Sequence, residues 1–214
     1  VIAHRGYSQF AEENTLSAFD LAIAKGAKGI ECDIRLTGDG KAVVYHNKHI
    51  LVDNQKVKIS KYTIADLKKI CINQGHELLT LDDLFEYVKQ KQAQFFLELK
   101  TSSPTLVESI ARKIKEKNLW EQVHVTGFSF FVKNALRAQS THPKLQVGQF
   151  LHLPTYSYIR KPKKSYCVFL GWLDGIPGSQ TLFKTLISPD RLARLKNFLE
   201  KQGFYVIGGV INND

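Results

Sequence analysis

The fold class this sequence predicts is α/β, a TIM-like (β/α)8 barrel, on three observations. Short β-rich runs alternate with helical patterns throughout, as a parallel sheet with crossover helices requires. Eight such runs can be counted, enough for a sheet to close on itself rather than stay open. The length, 214 residues, suits one barrel of roughly 200–250 residues, so residues 1–214 are read as a single domain.

The first candidate strand is Val1–Arg5. Asn14 then reads as the N-cap of a helix over Thr15–Lys25, with Leu16, Phe19 and Ile23 on one face and Gly26 as the stop. Strands follow at Gly29–Leu36 and Ala42–His46. No long helix succeeds this third strand. Asn47–Thr80 reads instead as a small irregular insertion with one short helix. Thr63-x-x-Asp66 and Thr80-x-x-Asp83 resemble capping boxes, with Asp in place of the preferred Glu. The remaining strands are Phe95–Lys100, His124–Phe128, Gln146–Phe150, Val168–Trp172 and Phe204–Ile211. Pro104 can open a crossover helix carrying Leu106, Ile110 and Ile114. Ser188-Pro189 opens another, burying Leu192, Leu195 and Leu199 and stopping at Gly203, while Leu151–Tyr166 is irregular.

Composition narrows the class. With 43% hydrophobic and 23% charged residues, the chain is an ordinary globular one, which argues against disorder along its length. The formal net charge of +10 fits a solvated basic surface, a peripheral contact with an anionic membrane or an acidic substrate. The densest basic cluster, Arg160-Lys161-Pro162-Lys163-Lys164, lacks the aromatic partners of a nucleic-acid groove, so no nucleic-acid partner is expected. Cys32, Cys71 and Cys167 are dispersed and odd in number, which points to a reducing, cytoplasmic setting rather than a disulfide framework or zinc site. No run approaches the length of a transmembrane helix. The chain opens Val1-Ile2-Ala3-His4, without Met and already inside a strand, which leaves a preceding signal peptide open. Nothing in the sequence bears on oligomeric state.

Ionisable residues recur where barrel strands should be apolar. Strand side chains alternate, so Glu31, Asp33 and Arg35 share one face and Cys32 and Ile34 the other; Glu98 and Lys100 likewise share a face. Such ionisable groups inside two buried strands are costly unless paired or bound to a metal. Two readings follow. Glu31, Asp33 and Glu98 form a three-carboxylate, thiolate-free set suited to a hard divalent cation, Mg²⁺ or Ca²⁺. Alternatively Glu98 pairs with Lys100 and Glu31 with Arg35 as internal salt bridges. His4 ends the first strand and His46 the third, at the barrel mouth where active sites of this fold lie. Two imidazoles facing one cleft suit acid and base work. Arg5 offers a planar fork for phosphate, and Gly6 lets backbone approach a ligand.

The series His4-Arg5-Gly6…Glu13-Asn14-Thr15, Glu31-Cys32-Asp33, Thr37-Gly38-Asp39-Gly40…Val43-Val44-Tyr45-His46 and Glu98-Leu99-Lys100 resembles the glycerophosphodiester phosphodiesterase family in order and spacing. The resemblance implies a TIM barrel with an insertion after the third strand, where Asn47–Thr80 falls. It implies one divalent cation on Glu31, Asp33 and Glu98. It implies His4 and His46 as acid and base, Arg5 and Lys100 on the phosphate, and Glu13 near the metal and the glycerol hydroxyls. The substrate implied is a small glycerophosphodiester, split into glycerol 3-phosphate and an alcohol.

Two features depart from the family pattern. His46 is followed by Asn47 where the family has Asp, which removes a negative charge and should lower the His46 pKa. The family's Trp-bearing last strand reads here Gly209-Val210-Ile211-Asn212. Trp172 either supplies a substitute aromatic wall or packs within the barrel. Three other readings compete: a lysophospholipase D or sphingomyelinase D-like enzyme acting on lysophospholipids, a catalytically silent barrel that binds phosphorylated ligands, and a phosphoinositide phospholipase C-like barrel, which the Glu-x-Asp and Glu-Leu-Lys spacing fits less well.

Overall fold

In the computed structural model, residues 1–151, 165–171 and 178–208 are described. Trp172, the Arg160–Lys164 cluster and the Gly209–Asn212 stretch lie outside the described residues. An eight-stranded sheet forms the body. Seven of its strands are parallel: β1 (Ile2–His4), β2 (Gly29–Leu36), β6 (Gln94–Leu99), β7 (Val123–Phe128), β8 (Gln146–Leu151), β9 (Cys167–Leu170) and β10 (Tyr205–Gly208), neighbours in that order. The helices α1 (Leu16–Ala24), α3 (Leu81–Lys89), α4 (Pro104–Lys117), α5 (Ser129–Ala138), α6 (Ser179–Leu186) and α7 (Pro189–Lys201) lie between them in the chain.

Two apolar cores divide the strand faces. Outward residues such as Ile30, Cys32, Ile34, Leu97, Leu99 and Val125 pack with Phe19, Leu84, Phe85 and Ile110 from the helices. Inward residues Phe96, Cys167 and Phe169 form a second cluster, joined by Ile2 from β1 and Ile207 from β10. The two end strands thus face one interior, so the sheet is curled as a barrel wall. Among the described residues no ladder joins β1 to β10.

The third strand differs from its expected role. β3 (Ala42–Val44) is shorter than foreseen and runs antiparallel to β2, pairing Ile34 with Val44 and Leu36 with Ala42. The physical reason is the connection: the tight Thr37–Lys41 turn, closed by Thr37 N–H to the Lys41 carbonyl at 2.9 Å, is far too short for a parallel crossover. The insertion follows as expected, but it is more regular than its sequence suggests. It holds an antiparallel hairpin, β4 (His49–Val52) and β5 (Gln55–Lys58), and one helix, α2 (Ile64–Asn73). Its own small core joins Ile50, Ile59, Leu67, Cys71 and Leu78 to Val43.

Helix ends mostly follow the sequence. Thr63 with Asp66 and Thr80 with Asp83 form complete capping boxes, Pro104 opens α4 behind an N-cap Ser103, and Ser188 caps α7. One expectation fails. Thr15, not Asn14, is the N-cap of α1, because Asn14 adopts a left-handed conformation (φ 62°) and spends its side chain on a distant strand. All three cysteines are buried free thiols.

Candidate active site

The acidic residues converge because of strand register. β2 places Glu31 opposite His4 on β1, and Asp33 opposite Glu98 on β6. Alternation turns all three carboxylates inward, away from the helix-packed Cys32, Ile34 and Leu97. Their ligand oxygens lie within 4.8 Å of one another, and the residues are 5%, 0% and 5% exposed respectively for Glu31, Asp33 and Glu98.

Basic groups ring this cluster. Lys100 Nζ stands 2.6 Å from Glu98 Oε1 and 3.0 Å from Asp33 Oδ1. Arg5 Nε lies 3.2 Å from Asp33 Oδ2, while its Nη1 donates to Glu13 Oε2 at 2.9 Å. The Arg5 backbone N–H donates to Glu31 Oε2 at 3.2 Å, and His4 Nε2 is 3.8 Å from that same oxygen. Of the internal salt bridges considered above, Glu98–Lys100 forms. The Glu31–Arg35 pair does not: Arg35 Nε donates to the His46 carbonyl at 2.7 Å. The antiparallel return of β3 explains the position of His46. It carries the chain back from the far end of β2, with Tyr45 N–H bonded to the Asp33 carbonyl at 3.0 Å, so His46 feels the charges of Asp33, Arg5, Lys100 and Glu13.

The electrostatics follow from burial and pairing. Burial pushes Glu31 well above the usual carboxylate range, and Asp33 and Glu98 push it further. Glu98 is also raised, burial outweighing Lys100. Asp33 resists its burial because Lys100, Arg5 and Asn14 hold it below the usual range. Burial works against the charge on Lys100, but Asp33 and Glu98 keep its pKa high. His46 is held below the ordinary imidazole value, chiefly by burial, with Arg5 and Lys100 adding to the effect of burial against Asp33. The direction agrees with the sequence expectation, and its leading cause is burial.

A cation fits this donor set. Glu31 Oε1 is buried without a hydrogen-bond partner, and Asp33 Oδ1 and Glu98 Oε1 share the single ammonium of Lys100. That one group cannot serve three carboxylates. All-oxygen donors of this kind suit hard divalent cations. A cavity of about 460 Å³ opens beside the cluster, between Glu13, Asn14 and His46 on one side and His49, Gln74 and His76 of the insertion on the other. His76 Nδ1 bridges the two sides, 2.6 Å from Glu12 Oε1.

A model of the glycerophosphoryl diester phosphodiesterase family matches residues 4–196. The chain belongs to that family. A glycerophosphodiester phosphodiesterase from Caldanaerobacter subterraneus subsp. tengcongensis is 31% identical over 156 residues, covering 68% of this chain and 64% of the relative. One from Bacillus altitudinis is 31% identical over 180 residues, covering 78% and 74%. The chain thus spans slightly less than two thirds of the Caldanaerobacter relative, and 42% of one from Mycobacterium tuberculosis. In fold, this family member resembles the Thermotoga maritima glycerophosphodiester phosphodiesterase, with TM-score 0.73, 22% identity and coverage of 99% and 85%. It also resembles an Oleispira antarctica phosphodiesterase solved with the product sn-glycerol-3-phosphate, with TM-score 0.70, 22% identity and coverage of 99% and 84%.

Eight of the nine sequence-selected residues of this family member, His4, Arg5, Glu13, Glu31, Asp33, His46, Glu98 and Lys100, thus gather at one mouth. Trp172, the ninth, lies outside the described residues. Sequence reasoning misassigned Asn14. Its side-chain N–H donates to Asp33 Oδ2 at 2.9 Å and its Oδ1 accepts from the Asp33 N–H at 3.1 Å. The signal available was its place directly after Glu13 in the family's motif, which read equally well as a helix cap.

Proposed function

We propose that the protein hydrolyses glycerophosphodiesters to glycerol 3-phosphate and an alcohol, with a divalent cation and two histidines. One observation carries this reading: three buried carboxylates share one focus, with Arg5, Lys100 and two imidazoles around it. Family membership, the names of the relatives and the product seen in the Oleispira enzyme support the same chemistry.

The electrostatics support it too. Burial and mutual repulsion raise Glu31 and Glu98 above the usual carboxylate range, a cost that a divalent cation on Glu31, Asp33 and Glu98 would relieve; when bound it would supply Lewis-acid stabilisation of the phosphoryl oxygens. Arg5 and Lys100 orient the phosphate and offset charge that builds on it in the transition state. Glu13 keeps the Arg5 fork aimed, and the cavity beside His46 has room for the organic part of a diester. His46 is assigned as the base, because a depressed pKa keeps its imidazole neutral near pH 7. His4, beside Glu31, is assigned as the acid that protonates the departing alcohol.

The test is release of glycerol 3-phosphate from glycerophosphocholine in chelator, then with Mg²⁺ or Ca²⁺ restored. Activity should vanish and return. Turnover that continues undiminished in excess chelator would overturn the metal assignment. Failure of a panel of glycerophosphodiesters with either ion would favour the silent, ligand-binding barrel.

A further inference from the structure

We propose that the mouth of the barrel docks on an anionic lipid surface through two exposed phenylalanines, Phe10 and Phe130, which flank the carboxylate-bearing strands. Both residues are 72% exposed. Phe10 stands on the loop between β1 and α1. The base of that loop is the site itself, where Asn14 N–H donates to the Arg5 carbonyl at 3.0 Å, and the Phe10 ring leans on Tyr7 at 4.8 Å between centroids. Phe130 stands in the first turn of α5, directly beyond the mouth end of β7, against Phe131 at 5.6 Å.

The sheet order β1-β2-β6-β7 makes the arrangement specific. Glu31, Asp33 and Glu98 lie on the two inner strands, and each phenylalanine leaves the mouth end of an outer one. Strands about 4.8 Å apart separate the two departure points by on the order of 14 Å. Core packing does not account for two large rings in water on either side of a polar focus, and exposed aromatic groups beside lysines suit insertion into a lipid interface. Of the other exposed apolar groups, Val1 and Tyr205 lie at the opposite end of the barrel, where β1 and β10 begin, while Leu51 and Ile72 belong to the insertion.

Charge selects the occupant. Exposed Lys48 follows His46, and exposed Lys133 lies one helical turn beyond Phe130. The insertion, residues 47–80, carries six lysines against Asp53, Asp66 and Glu77, on a chain of net charge +10. Aromatic rings framed by lysines suit a layer of anionic headgroups over an apolar interior. The inference rests on reading that mouth as the catalytic end. It implies substrates released at, or embedded in, a lipid surface.

The experiment is co-sedimentation of the full chain with vesicles of equal parts phosphatidylcholine and phosphatidylglycerol, and with phosphatidylcholine alone. The parent should partition onto the anionic vesicles, more weakly onto the neutral ones, and less in high salt. Phe10→Ser with Phe130→Ser should weaken partition at least about tenfold, while turnover of soluble glycerophosphocholine stays at the parent level. A parent that remains in the supernatant, or a double variant that binds as the parent does, overturns the proposal. So does a parent dimer that the double variant converts to monomer, which would mark self-association. Loss of glycerophosphocholine turnover in the double variant would place the rings in the active site and overturn it as well. Vesicle binding needs no turnover, so failure here and failure of the proposed hydrolysis are read separately.

Discussion

Asp33 is held by Asn14, Arg5 and Lys100, and these contacts define what each partner can do. Asn14 bonds it twice while itself held at a positive φ. Asn tolerates that backbone better than most residues. Asn14→Ala removes both bonds and leaves buried Asp33 with unmet demand, so about 1–3 kcal/mol of stability should be lost, together with cation affinity measured by titration calorimetry. The histidines should behave differently. His4→Ala and His46→Ala should each lower turnover about 10²–10⁴-fold with little change in that affinity. A structural histidine would show the reverse, lost stability with normal specific activity. His124, deep in the barrel, is such a structural group. It is 1% exposed and stacks between Phe96 at 4.6 Å and Tyr166 at 5.4 Å, and burial pushes its pKa down to about 4. An unfolded histidine titrates near 6.5, so below that pH the unfolded chain takes up a proton that the folded one refuses. Stability present above about pH 6.5 should therefore decline towards pH 4, by about 3 kcal/mol in all. Urea midpoints at pH 7 and pH 5 check this, and His124→Phe should flatten the decline.

At the scale of elements, short segments with strict local requirements hold the site in place. The turn from β1 into its loop needs Gly6. With φ 82°, a Cβ there would lie 2.7 Å from the carbonyl carbon and Cβ of Ala18. Gly6→Ala should cost about 2–4 kcal/mol by urea denaturation, through backbone strain and overpacking. Gly40 closes the turn that sends β3 back along β2, and with it His46 to the focus. The insertion stands on its own small core. Leu67→Ala, at 1% exposure, should cost about 2–5 kcal/mol and speed amide exchange across α2 and the β4–β5 hairpin more than in the barrel strands.

For the molecule as a whole, the proposed cation site would couple function to folding. Three buried carboxylates drawn together by register are a cost to the fold that two basic side chains offset only in part. A ligand bound only by the native state stabilises it. Mg²⁺ or Ca²⁺ at a hundred times its dissociation constant should add about 2.7 kcal/mol, seen as a raised melting temperature. Glu98→Gln should abolish that shift without unfolding the protein. Among the described residues no helix is long and apolar enough to cross a membrane.

Much of this was legible in the chain because it depends on local periodicity. Alternation along Glu31-Cys32-Asp33 and Glu98-Leu99-Lys100 assigns each side chain a face without reference to any partner. The capping boxes at Thr63 and Thr80 are complete within four residues, and the helices begin where Pro104 and Pro189 permit. Tertiary structure alone decided the rest. It set the register that brings Asp33 beside Glu98 across sixty-odd residues of chain, the reversed sense of β3, and the diversion of Asn14 from cap to carboxylate partner. It also placed Phe10 and Phe130 on either side of the site. Those outcomes are settled by which strands become neighbours and how two apolar cores pack on opposite faces of one curled sheet, and interactions of that range leave no period for a linear reading to detect.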